Sequence, residues 1–531
     1  MISSRVQPFY PSIKVGKLGA VAGATVLFAI LPLLYVIGYG FDLSLDQWVS
    51  LWSARIPELL WNTLSLALLV ALLSVFLGVP TAWIIARMNF PGRTVAIWLM
   101  LLPLTIPTYV FAHIYTILMD DDGWLGLAWH WIFGEASPIP DISHVFGVAS
   151  ILTLAGFSYI FLLVRASLSH STKDLEEAAR IQGASTSVVF YLINLPLMRP
   201  AIAAGLAVIV LHVLSDFGAV SMLRYQTFTL SIYTQMSGRM DYNAAAGLSF
   251  ILILLSLTFL VLERFFRRRQ RFYTGAQTKF VQRRETSIKE RVFIWLWLGS
   301  ISLFSFILPL IWMLDWSLAA WRDDLINADF WSYCLNSGVI SFVTASLVLV
   351  IAFPIAFYHT RRHSRLSQTY LHLSSVGFAL PGPVIALGVL AFVLAQLPIV
   401  YGTFAALLIA MIIRFLPLAI QSQEAALQQL TPSVEEAGRV LGAGPIENLR
   451  RVVLPIVRGG MASAWVLVFI DTLKELPATL ILRPTGFDTL PIRIWIEASE
   501  EMLELAAPAA LMLVIGTLPA IWIMRKSEKY Q

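Results

Sequence analysis

The sequence predicts an all-α integral membrane protein of about twelve transmembrane helices, arranged as two parallel six-helix repeats. Three observations predict it. The 531 residues are 58% hydrophobic and only 13% charged, with a mean hydropathy of +0.76, whereas a soluble domain carries roughly 25% charged residues. Apolar stretches of about 20 residues, each long enough to span a bilayer as a helix that satisfies its own backbone hydrogen bonds, recur along the whole chain. The chain also repeats itself in register.

In chain order the expected spans of the first half are 18–40, 61–86, 95–119, 146–164, 201–222 and 244–263. Those of the second half are 292–313, 336–358, 370–396, 401–420, 461–482 and 505–524. The first follows Arg5, Lys14 and Lys17 but is too long for a signal peptide and lacks a small-residue cleavage site. It reads as an uncleaved span, with the mature chain starting near Met1. The halves are assigned to 1–263 and 292–531, joined by a linker at 264–291 that holds ten Lys or Arg. Such a basic linker suits the cytoplasmic face against anionic headgroups. Nucleic-acid binding has no other support.

Charge fixes the expected sidedness. With the N-terminus inside, thirty of the thirty-seven Lys and Arg fall in inner segments, among them Arg414 in the segment 414–458. This asymmetry fits twelve spans with both termini in the cytoplasm. The lone cysteine, Cys334, excludes an internal disulfide and a cysteine-rich metal site. His113, His130, His359 and His372 are scattered and suit packing or interfacial roles, and the run Asp120–Asp122 suits a solvated outer loop.

The repeat has two registers. An offset of 274 pairs Asn62 with Asn336, Pro80 with Pro354, Arg87 with Arg361 and Pro107 with Pro381. Further on an offset of 259 aligns Leu175-Glu-Glu-Ala-Ala-Arg-Ile-Gln-Gly-Ala184 with Val434-Glu-Glu-Ala-Gly-Arg-Val-Leu-Gly-Ala443. It continues through Leu195-Pro196 against Leu454-Pro455 and pairs Asp216 with Glu475. The change of offset falls at the longer outer loop of the first half, Asp120 to Ser143. Equivalent loops share a side, so the repeat is parallel, with pseudo-twofold symmetry along the membrane normal.

The two Glu-Glu-Ala stretches, in loops at about 174–200 and 433–459, suit short helices. Asp174 or Ser433 is the expected cap, Glu176 and Glu177 (Glu435 and Glu436) suit the positive N-terminal end, and Gly183 or Gly442 suits a left-handed exit. Within the spans, His212 and Asp216, and Asp471 and Glu475, are spaced i, i+4, with Lys474 adjoining. If the two faces meet, three carboxylates and an imidazole line a pathway suited to a hard cation, although a gate or structural ion pair at Lys474 is the competing account.

Glu177-Ala178-Ala-x-x-x-Gly183 with Ile193-x-Leu-Pro196, and Glu436-Ala437-Gly-x-x-x-Gly442 with Val453-Leu-Pro455, resemble the EAA loop of permeases of binding-protein-dependent ABC importers with the maltose-permease (type I) fold. The second copy departs from the pattern by Gly438. The resemblance implies that each loop docks as a coupling helix in one of two ATPase subunits. It also implies a bacterial inner-membrane location and a periplasmic solute-binding protein as donor. The phosphate-cradling Gly-x-x-x-x-Gly-Lys-Ser/Thr loop does not occur, so ATP belongs to the partner subunits and no cofactor is expected on this chain. Ser215-Asp-Phe-Gly-Ala-Val220 and Lys474 through Pro484 look like segments of fused ferric-iron permeases, which implies ferric iron as the cargo. Fused thiamine permeases, and permeases for phosphonates, molybdate or polyamines, are the alternatives. A major-facilitator-type transporter would share twelve spans but needs no EAA loops, and a membrane enzyme finds no Ser/His/Asp or His-Glu-x-x-His grouping.

Overall fold

The computed structural model describes residues 15–170, 178–179, 181–268, 283–362, 364–500 and 502–528. Apart from one two-residue strand pairing, these residues form helices and their connections. Nine helices among them are long and apolar enough to cross a membrane. A bent pair and two shorter apolar helices, Gly382–Gln396 and Leu505–Pro519, complete the twelve segments the sequence predicts.

The first half contains α1 (Val15–Asp42), α2 (Ile56–Arg87), α3 (Arg93–Leu101), α4 (Thr108–Leu118), α5 (Val145–His170), α6 (Leu195–Ser215), α7 (Gly218–Met222) and α8 (Tyr242–Arg268). The second contains α9 (Ile288–Ser302), α10 (Leu308–Arg322), α11 (Ala328–Arg361), α12 (Arg365–Ser374), α13 (Gly382–Gln396), α14 (Phe404–Gln428), α15 (Pro432–Val440), α16 (Leu454–Leu473), α17 (Pro477–Leu482), α18 (Leu490–Ser499) and α19 (Leu503–Glu528). Expected boundaries shift most at prolines. The span expected at 95–119 is broken, with α3 and its short 3-10 extension meeting α4 at 96° across Pro107. The symmetry-related Pro381 starts α13 in the same way and divides the span expected at 370–396. Proline has no N–H to continue the ladder and drives the preceding residue into extended backbone, as seen at Ile106 and Leu380.

The two large buried cores among the described residues each mix the halves. One joins residues of α2 to α7 with Ile294, Leu298 and Trp312 of the second half. The other joins α11, α13 and α14 with Ala22, Val26, Leu33 and Val36 of α1. The first helix of each half is thus exchanged onto the other half. Gly388 permits this on one side, because a Cβ there would lie 2.7 Å from the Pro32 carbonyl of α1, and Gln396 Nε2 donates to Tyr35 Oη at 2.6 Å. On the other side, Trp297 Nε1 donates to Thr81 Oγ1 at 3.1 Å and Tyr115 Oη donates to the Phe304 carbonyl. Where the linker re-enters, Arg284–Glu285 pairs in parallel with Met88–Asn89, and Thr286 Oγ1 donates to the Asn89 carbonyl at 2.7 Å. Ser287 and Glu290 then close a capping box that starts α9.

The repeat recurs in fine structure. Asn62 Nδ2 donates to the Gln226 carbonyl at 3.1 Å, and its counterpart Asn336 donates to that of Asp488 at 2.9 Å. A π-turn at Phe190–Asn194 and another at Leu449–Val453, 259 residues on, precede Pro196 and Pro455. Both prolines sit in the first turn of their helices, where a missing N–H is tolerated.

Candidate functional site: a charged cavity and two loops

A cavity of about 230 Å³ lies where α6 and α16 end. Its lining includes all five charged or titratable residues singled out in the spans: His212, Asp216, Asp471, Lys474 and Glu475. The expected i, i+4 pairing on one helix face does not hold for the acids, however. Helix α6 stops at Ser215 and α16 at Leu473, so Asp216 and Glu475 stand just beyond them and cap the next helices instead. Asp216 Oδ1 accepts the amides of Ala219 and Val220 at 3.0 and 3.3 Å, and its Oδ2 accepts Thr108 Oγ1 at 2.5 Å. Glu475 Oε1 accepts the Ala478 amide at 3.1 Å. A carboxylate at the start of a short helix satisfies amides that would otherwise be buried without partners.

The halves diverge in what else holds these acids. Thr108 has Gly382 as its counterpart. A Cβ at Gly382 would meet Arg414 Nη1 at 2.9 Å and Glu475 Oε1 at 3.0 Å, so the missing side chain makes room for an ion pair. In that pair Arg414 Nε and Glu475 Oε2 are 2.8 Å apart. Arg414 lies in the middle of α14, opposite Ala155 in the first half, and not in the inner segment where the positive-inside bias counts it. It was legible as an arginine inside the predicted span 401–420. Thr108, Tyr109 and Tyr159, which also line the cavity, carried no charge to mark them. The rings of Tyr159 and His212 are 5.7 Å apart.

Lys474 ties the halves together. Its Nζ donates to the Leu104 carbonyl at 3.1 Å and stands 3.9 Å from Asp471 Oδ1. The break at Pro107 interrupts the ladder beside that carbonyl and leaves it for Lys474. Two of the scattered histidines take packing or polar partners: His113 meets Trp312 edge-on at 5.8 Å, and His130 lies 3.3 Å from Asp121.

Glu176 and Glu177 lie outside the described residues. Ala178 is exposed, and Gly183 (φ +85°) and Gly442 (φ +90°) both adopt the left-handed exit. The second loop's helix α15 starts at Pro432 after Thr431, two residues earlier than a Ser433 cap requires, because proline is favoured in the first turn. Glu435 is buried and ion-paired with Arg361 at the end of α11, its Oε1 accepting Arg361 Nε at 2.6 Å, while Glu436 and Ala437 remain exposed. The departure from the EAA pattern also has a cause. A Cβ at Gly438 would lie 2.5 Å from Asn448 Oδ1, and Asn448 is fixed by donating to the Glu435 carbonyl at 3.0 Å. Next to the glycines, Ile181 and its counterpart Val440 are each 86% exposed, and Leu441 and Ile446 are also bare.

Two interlocked homologous halves, a charged cavity between them and a matched pair of apolar-tipped loops define a membrane permease. The chain belongs to the family of binding-protein-dependent transport system inner membrane components, the permeases of ABC importers, whose profile it matches twice, over residues 75–272 and 348–529. It is 31% identical over 501 residues to the Fe(3+)-transport system permease protein FbpB 2 of Haemophilus influenzae, covering 93% of this chain and 95% of that one. To the ferric transport system permease protein FbpB of Actinobacillus pleuropneumoniae it is 24% identical, over 80% of this chain and 65% of that one. To the molybdenum transport system permease protein ModB of H. influenzae it is 30% identical, over 40% of this chain and 94% of that one. These relatives are transport components and not enzymes.

Proposed function

We propose that the chain carries ferric iron across the inner membrane, receiving it from a periplasmic ferric-binding protein and driven by two copies of an ABC ATPase. The single observation that carries the ferric assignment is the likeness to an Fe(3+) permease along nearly the whole of both chains. The match to ModB, named for another cargo, covers only 40% of this chain. Both termini and the two loops then lie in the cytoplasm, in keeping with the positive-inside charge bias. Exposed Ile181 and Val440, each beside a left-handed glycine, suit burial in a groove of an ATPase subunit. Closure of the ATPase dimer would move the two loops together and shift the population between inward- and outward-facing states. His212, Asp216, Asp471, Lys474 and Glu475 then belong to the translocation pathway, with the Lys474 contact to Leu104 as a bond between halves that opening must break.

Reconstitution of the chain with its ATPase tests the assignment. Hydrolysis rises when the ferric-loaded binding protein is added and stays at its basal rate with a thiamine-loaded one. The reverse pattern overturns the ferric reading.

A further inference from the structure

The cavity wall is divided by charge. Glu475 keeps only 4% of its side chain accessible and Asp216 is equally withdrawn, and the oxygens of both are engaged by amides, Thr108 or Arg414. Lys474 and Arg414 retain 19% and 18%, and of the three carboxylates only Asp471, at 42%, is open. Among the described residues no three His, Cys, Asp or Glu side chains converge in a way that could hold a metal ion. Unused hydrogen-bonding capacity in the lining lies instead with Arg414 Nη1, Tyr109 Oη and Ser215 Oγ, which are buried without a partner. A bare trivalent cation would meet two fixed cations and one open carboxylate there. Oxygen atoms already bound to the metal would meet donors that lack acceptors, and guanidinium and ammonium groups are the strong donors for such oxygens.

We propose that this chain passes ferric iron as a complex with a small oxyanion, with Arg414 and Lys474 as the groups that receive the oxyanion's oxygens. This rests on the ferric reading above and adds the form in which the metal crosses. Coordination by the oxyanion lowers the charge presented to Lys474 and Arg414, and it supplies the metal ligands that the described lining does not bring together. The asymmetry of the repeat follows the same logic: Arg414 and Lys474 both come from the second half, where the first half has Ala155 and Ser215.

The test is double-label uptake in proteoliposomes holding the full chain, its ATPase and the ferric-loaded binding protein, in bicarbonate-depleted buffer with inorganic phosphate as the sole oxyanion. With 55Fe and 33P-phosphate, both labels enter in near-equal amounts and depend on ATP. Lys474→Gln lowers the entry of both by tenfold or more, and Lys474→Arg, which keeps the charge, restores most of it. Entry of 55Fe at the full rate without 33P overturns the proposal, as does 33P entry that needs no iron. If no 55Fe enters while a thiamine-loaded donor stimulates hydrolysis, the ferric reading itself has failed, and this inference falls with it.

Discussion

Gly442→Glu is expected to leave the chain in the membrane at the parental amount while iron uptake falls on the order of tenfold or more. The reason is local. Gly442 has φ +90° and ends α15 beside Val440 and Leu441, the exposed apolar pair of the second loop. A side chain in the left-handed region costs about 1–2 kcal/mol, and 1.4 kcal/mol is a factor of about ten in the population that keeps the loop's shape. Nothing lies within 4 Å of a Cβ built there, so the fold has room for the substitution and the loss falls on docking. The carboxylate adds a charge where an apolar surface is expected to be buried by the ATPase. Uptake and ATP hydrolysis measured in the same vesicles separate the outcomes: hydrolysis that continues without uptake is uncoupling. Normal uptake by this variant and by Gly183→Glu would count heavily against the coupling role.

Arg414→Ala is expected to have the larger effect on folding. It strands the carboxylate of Glu475, which is almost fully buried. Removing one partner of a buried ion pair costs about 3–5 kcal/mol because the other charge keeps its desolvation penalty. That is a large part of a typical stability margin, so the amount of inserted protein should drop sharply. In Arg414→Met with Glu475→Gln neither charge of the pair remains, and the Gln oxygen can still accept the Ala478 amide. The double variant should therefore recover its membrane level while uptake stays low. Recovery of both level and uptake would show the pair to be structural only, and a double variant no better than the single would remove the ion-pair explanation. Quantitative blotting of washed membranes beside 55Fe uptake reads both.

Much of this was legible in the sequence because a bilayer imposes long apolar runs and a duplicated chain preserves offsets. The 259-residue register carries through from the loops to Asp216 and Glu475, and the conformations of Gly183 and Gly442 follow from their place after a helical pattern. Legibility fails where geometry depends on remote contact. Asp216 and Glu475 looked like helix-face residues because the end of the preceding helix is not marked by composition: Ser215 and Lys474 fit a helix as well as a break. The exchange of α1 and of α9 with α10 left no trace, since in a membrane the helix-facing and lipid-facing surfaces are similarly apolar. Gly388, which allows one of those contacts, reads in sequence as an ordinary small residue of an apolar helix. Arg414 was visible and misassigned: a net excess of basic residues in inner segments absorbed it, although an arginine within a span calls for a partner of its own.

Coupling requires the two loops to be cytoplasmic handles for a motor, and labelling of one exposed position tests that directly. Val440→Cys in a Cys334→Ser background leaves one thiol, 259 residues from the matching Ile181 of the first loop. A membrane-impermeant maleimide should label it in inside-out vesicles and not in right-side-out ones, and bound ATPase subunit should protect it. Labelling from the outside, or equal labelling with and without the ATPase, would contradict the account.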